Sequence, residues 1–151
     1  MRQPAEKSLR ARALDALARR EHTRTELFRK LSAHTEDCDA LNQLLDDLQT
    51  RGWLSDARYA EQRAHARQSR YGSRKIGYEL REQGVSETLI AQTLANLKVT
   101  EVERAREIWL RKFGVQAATP KERNQQMRFL QSRGFDLDVI YRVINQLDEE
   151  E

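Results

Sequence analysis

The stretch LREQGVSETLIAQTLANL, Leu80 to Leu97, decides the architecture. Its outer leucines lie seventeen residues apart, and the same separation returns in Leu31 with Leu48 and in Leu130 with Leu147. The three pairs are offset along the chain by 49 and then 50 residues. Self-similarity at such a period marks a tandem array of small helical units. Inside the stretch, Leu89, Ile90 and Leu94 fall at helical spacing. So do Leu41, Leu44 and Leu45 within the first pair, and Val139, Ile140, Val143 and Ile144 within the third. Gly84 interrupts the run and Ser86 is a good N-cap, so each pair reads as the end of one helix, a short turn, and a second helix closing at its last leucine.

Working outward, a further helix fits ahead of each pair. Ser8 to Arg20 is amphipathic, with Leu9, Ala13, Leu14 and Leu17 on one side. Thr23 and Glu26 form a capping box opening a helix that buries Leu27, Phe28 and Leu31, and a third helix covers about Asp37 to Gln49. In RGWLSD, Gly52 suits a left-handed stop, Trp53 and Leu54 can fold back on the helix, and Ser55 or Asp56 can cap the next one. Helices from about Asp56 to Arg70, Ser73 to Gln83 and Ser86 to Leu97 make a second unit. A third opens near Thr100, burying Val102, Ala105, Ile108 and Trp109. It continues from Pro120 through Met127, Phe129 and Leu130, and restarts after Gly134 with Asp136 as cap. The expectation is an all-α chain of nine helices, an elongated, curved array of three three-helix repeats over residues 1–55, 56–98 and 99–151. Trp53 and Trp109 read as core anchors.

Charged residues make up 34% of the 151, against about 25% in ordinary globular domains, so surface is generous and core thin. Six glycines and two prolines favour continuous helix over hairpins. No apolar run approaches the roughly 20 residues of a membrane span, and MRQPAEKSLR lacks the apolar stretch of a signal peptide. With Cys38 alone, no internal disulfide can form. A soluble, cytoplasmic protein is expected.

Net charge is only +3, but residues 51–75 carry Arg51, Arg58, Arg63, Arg67, Arg70, Arg74 and Lys75 against Asp56 and Glu61 alone. Acidic stretches flank this segment: residues 31–50 hold Glu36, Asp37, Asp39, Asp46 and Asp47 with no base, and the chain closes on Asp148, Glu149, Glu150 and Glu151. On a helical wheel Ala57, Ala60, Ala64 and Tyr71 form the core stripe, with Arg63 and Arg70 on one flank and Arg67 near the stripe. Two readings fit: a solvated face with Arg67 paired to a nearby carboxylate, or a surface for an acidic protein patch or a phosphate backbone. Tyr59 and Tyr71 bracket the segment and read as packing residues. His34 and Cys38 share a helical face but find no second ligand pair, so no metal site is expected. There is no GxSxG, no glycine-rich phosphate loop and no plausible Cys–His pattern, and the adjacent Asp46 and Asp47 point to different sides of a helix. No enzyme and no cofactor are expected.

Three blocks stand out: HTRTELFRKL from His22, RGWLSDARYAEQRAHARQSRYGSRKIGYELREQGVS from Arg51, and RFLQSRGFDLDVIYRVI from Arg128. In them the chain resembles the bacterial RecX family, regulators of the RecA recombinase. The middle block is the specific one. The resemblance implies a curved body of three-helix repeats that binds RecA polymerised on single-stranded DNA and lies along the filament groove. It implies lowered ATP hydrolysis and strand exchange, filament loss, and so modulation of recombination, DNA repair and the SOS response. The family's basic motif falls on Arg58, Arg67, Arg70, Tyr71 and Lys75, with Gly72 permitting the turn between helices. Arg63 and Arg74 join them on the same segment, and the regulator is expected to be a monomer acting without catalytic residues. The competing reading is a helical module that binds nucleic acid directly through Arg63, Arg67, Arg70, Arg74 and Lys75. A generic helical-repeat scaffold is a third.

Overall fold

The computed structural model describes residues 7–149, with side chains through Gln146. Leu147 and the acidic side chains that follow it, which figured in the repeat and the charge pattern, lie outside the described side chains. Nine helices and no strands are present among the described residues. They are α1 Leu9–Arg19, α2 Arg24–Ser32, α3 Cys38–Thr50, α4 Asp56–Arg67, α5 Ser73–Glu82, α6 Glu87–Lys98, α7 Glu101–Lys112, α8 Pro120–Ser132 and α9 Leu137–Glu149.

Their starts follow the cap chemistry in the sequence. Thr23 Oγ1 accepts from Glu26 N while the Glu26 carboxylate accepts from Thr23 N, closing the expected capping box. Ser8, Asp37, Ser55, Ser86 and Thr119 each accept a backbone N–H three residues on. Gly52, Gly84, Gly114 and Gly134 take positive φ, where a side chain would be strained.

The core divides into three clusters, one per group of three helices. The first joins Leu27, Leu31, Leu41, Leu45, Leu48 and Leu54; the second Tyr59, Ala60, Ile76, Leu80, Ile90 and Leu97; the third Trp109, Leu130, Phe135, Ile140, Val143 and Ile144. Apart from α6 against α7, extended helix–helix contacts stay within a group. The accessible surface is 10039 Å². A compact monomer of 17.7 kDa would expose roughly 7,900 Å², so the chain is extended.

The groups join end to end. At the first junction Thr23 Oγ1 donates to Gln83 O and Arg24 N to the Asp56 carboxylate. At the second, Gly72 N donates to Arg133 O at 2.8 Å and Arg74 N to Gly134 O at 3.0 Å. The C-terminus of α8 thus abuts the N-terminus of α5, and that of α5 abuts α2. At the second junction orphan carbonyls at one helix end meet orphan N–H groups at the next, whereas at the first a cap hydroxyl and a carboxylate take those places.

Four expectations are corrected. Trp53 is 45% exposed, because the Gly52 turn directs Leu54 inward instead and leaves the indole under the Arg10 and Arg51 guanidiniums, 5.7 and 5.4 Å from the ring centroid. Leu14 faces outward, and Ala16 is buried with Ala13 instead. Ala57 is exposed, and Tyr59 joins Ala60 and Ala64 in facing the core. Finally, α4 ends at Arg67 rather than Arg70, because the carbonyls of Gln68 and Tyr71 are held by Arg104.

Candidate partner-binding surface at the second junction

The seven basic-segment residues separate into distinct environments. Arg58 Nε donates to Glu21 at 2.8 Å and braces the first junction, apart from the others. On α4, Arg63 lies 3.9 Å from the Glu79 carboxylate, and Arg67 holds the same carboxylate with Nε and a terminal nitrogen. That hydrogen bond raises the Arg67 pKa further. Arg74 is 3.5 Å from Asp136, the residue expected to cap the last helix. Arg58, Arg63, Arg67 and Arg74 thus each have a carboxylate within the chain.

Tyr71 is the organising side chain of the segment. The Arg67 guanidinium lies 4.3 Å from its ring centroid, the Lys75 ammonium 4.4 Å and the Arg133 guanidinium 5.5 Å. A ring quadrupole attracts cations in this way and holds them in defined positions. Gly72 beside it has φ −82, so the turn does not demand glycine. The demand is spatial: a Cβ there would collide with the Gly134 carbonyl and lie 2.7 Å from Phe135 Cδ1.

Beneath the turn sits a buried ion pair. Arg104, 9% exposed, donates to the Glu101 carboxylate at 3.0 Å, to Leu97 O, Gln68 O and Tyr71 O, and to Thr100 Oγ1. Burial lowers its pKa, yet the five hydrogen bonds it donates keep the guanidinium charged at neutral pH. Glu101, 2% exposed, also accepts Ser73 N at 2.7 Å. This clamp ties α6, α7 and the α4–α5 turn into one rigid corner.

The corner forms the wall of a cleft of about 370 Å³. Arg70 enters from the second group, Arg111 and Lys112 from α7, and Arg133 from the end of α8, over a floor of Ile108. Phe129 lines it, with the Lys112 ammonium 5.5 Å and the Arg133 guanidinium 5.2 Å from its centroid. Arg111 donates to Ser69 O at 2.7 Å. None of these four cations pairs with a carboxylate among the described residues. Of the residues singled out in the sequence, the cleft holds Arg70 and Tyr71. Arg111, Lys112 and Arg133 were missed, since they lie some forty to sixty positions away. The one available signal was the Arg133–Gly134 turn, which sequence reading treats only as a helix stop.

The three-helix model of the second RecX domain matches residues 55–94, and that of the third matches residues 100–144. The regulatory protein RecX of Leptothrix cholodnii is 46% identical over 143 residues, covering 95% of this chain and 91% of the relative. The chain belongs to the RecX family. A second RecX, from Ralstonia nicotianae, is 43% identical over 97% of this chain and 91% of its own length. The crystal structure of RecX from Lactobacillus salivarius superposes with a TM-score of 0.84 at 20% identity, covering 93% of this chain and 95% of that one. Another RecX crystal structure gives 0.79 at 22% identity, over 91% of this chain and 71% of the other. At such identities these two matches speak for the fold, a RecX array of three-helix repeats.

Proposed function

We propose that this chain is a non-enzymatic regulator that binds the RecA recombinase filament on single-stranded DNA and inhibits its ATP hydrolysis, strand exchange and growth. Recombination, DNA repair and the SOS response are modulated through that contact, in the cytoplasm, by a monomer. The observation that carries the reading is membership in a family of regulatory proteins along nearly the whole chain. The physical means is a long body with a cationic second junction. A filament repeats its surface at every protomer, so an extended array can touch more than one at once, and linked contacts raise avidity without any single strong one. No helix among the described residues is long and apolar enough to cross a membrane, and no His, Cys, Asp and Glu cluster among them could hold a metal.

The test is ATP hydrolysis by RecA pre-assembled on single-stranded DNA, with this chain added well below one per protomer. Inhibition at that ratio is expected, and undiminished hydrolysis at stoichiometric addition would refute the reading. Arg70→Glu is the informative variant: the side chain is exposed and meets no carboxylate among the described residues, so regulation weakens while helical content and Tm hold. Lys75 is a poorer probe, because it stacks on Tyr71 and its backbone N would lie 2.7 Å from a Cβ on Gly134.

A further inference from the structure

The cleft between the second and third groups of helices collects charge that no carboxylate among the described residues answers. Along the rest of the basic segment each of these arginines lies beside a carboxylate: Glu21 for Arg58, a shared Glu79 for Arg63 and Arg67, Asp136 for Arg74. In the cleft, Arg70, Arg111, Lys112 and Arg133 converge from three separate elements around about 370 Å³ with no acidic residue in the lining. Four like charges this close repel one another, and a fold tolerates them where an external anion completes the site. The corner that carries them is fixed by the Arg104–Glu101 clamp and by the Gly72 and Gly134 backbone bonds, so the charges are positioned before any ligand arrives.

We infer that this cleft is a phosphate-binding site for the sugar–phosphate backbone of single-stranded DNA, seating successive phosphodiesters among Arg70, Arg111, Lys112 and Arg133. A flexible strand delivers one charge per nucleotide at short spacing, and so answers several cations with one continuous ligand. A carboxylate side chain answers one. The aromatic lining refines the assignment. In single-strand binders, exposed rings stack on bases. Here Tyr71 is attended by Arg67, Lys75 and Arg133, and Phe129 by Lys112 and Arg133. The rings order the cations, and base faces have no open platform. Recognition is of the backbone and independent of base sequence.

The inference adds a DNA contact to the regulator proposed above and is read without any recombinase, so the two can fail separately. Anisotropy of labelled oligothymidylate and oligodeoxyadenylate is titrated with the full chain across a series of NaCl concentrations. Comparable affinity for both oligomers is expected, and log K should fall linearly with log salt. Each phosphate contact on a single strand contributes a slope of roughly −0.7, so Arg70→Gln with Lys112→Gln should make the slope shallower by about 1.4. Lys112→Gln alone should remove about 0.7 and serves as the second probe if the double variant melts early. Arg58→Gln, at the far junction, should leave the slope unchanged. An unaltered slope in the double variant, or no binding by the parent chain, overturns the site. Displacement of the oligomer by oligoglutamate at lower charge concentration than by unlabelled oligothymidylate would assign the cleft to an acidic peptide and overturn it equally.

Discussion

Arg104 answers five acceptors from three segments while almost wholly buried, and its partner Glu101 is more deeply buried still. Removing one member of such a pair leaves an uncompensated charge in a low dielectric. Arg104→Met should therefore cost about 3–5 kcal/mol in urea unfolding, and adding Glu101→Leu should recover a large part of it. His22 offers a second residue-scale test. It is buried, with Nδ1 3.0 Å from Arg20 O, and desolvation lowers its pKa below the ordinary 6.5, opposed by that hydrogen bond and by Glu26 and assisted by the Arg20 and Lys30 charges. A proton added to the neutral ring would sit on Nε2, which meets no acceptor among the described residues. The unfolded chain thus binds that proton more readily than the native one, so stability contributed by neutral His22 is present above pH about 6.5 and declines as pH falls through that value. The drop in Tm between pH 7 and pH 5.5 should be smaller in His22→Gln than in the parent. Neither role was legible in the sequence: His22 merely opens the block HTRTELFRKL, and nothing local marks Arg104 among twenty-one arginines.

At the scale of elements, the repeat is more than a repetition of cores. Helices α8, α5 and α2, each second in its group, abut in series, and each junction uses the residues that cap the helices. Thr23 Oγ1 accepts from Glu26 N inside α2 and donates to Gln83 O at the end of α5. Thr23→Ala should cost about 1 kcal/mol as a lost cap, and amide exchange should rise in both α2 and α5 rather than in α2 alone. Gly84 stands at φ +79 with Thr25 against the place of its missing Cβ. Gly84→Ala should be more damaging than its left-handed penalty of about 1–2 kcal/mol, and trimming Thr25 to Ala, which removes Oγ1 and Cγ2 but leaves Cβ 2.5 Å from the added methyl, should relieve only part of the steric share. The similarity of RGW at Arg51 and RGF at Arg133 misleads at this scale. Gly52 ends the third helix of its group, whereas Gly134 ends a second helix, so Phe135 fills a core and Trp53 does not. A two-residue likeness carries no information about which helix it terminates.

For the whole molecule, three modest cores in series account for the excess surface. A compact chain of 151 residues would have a radius of gyration near 15 Å, and small-angle scattering of dilute samples should give a clearly larger value. A value at the compact figure would contradict the serial arrangement. The first junction is bridged by Thr23–Gln83, Arg24–Asp56 and the more exposed Arg58–Glu21 contact, while the second has the buried clamp and two backbone bonds in addition to α6–α7 packing. A moderate rise in urea should accordingly expose amides of α1–α3 to exchange before those at the α5–α8 contact.

What the sequence determined by itself was helical content, three-fold repetition, cap positions and the hydrophobic floor of each unit. These are local matters: a leucine at helical spacing, a Thr–Glu box or a glycine after a last turn acts within a few residues, and nearby chemistry settles it. The basic segment was visible too, as charge. The tertiary structure decided which of those charges are spent inside the chain and which face outward. Glu79 and Asp136 take up three of the arginines, while Arg70 is left beside Arg111, Lys112 and Arg133. Pairing depends on distances of a few ångströms between residues far apart in the chain, and only the packing of one unit on the next sets them.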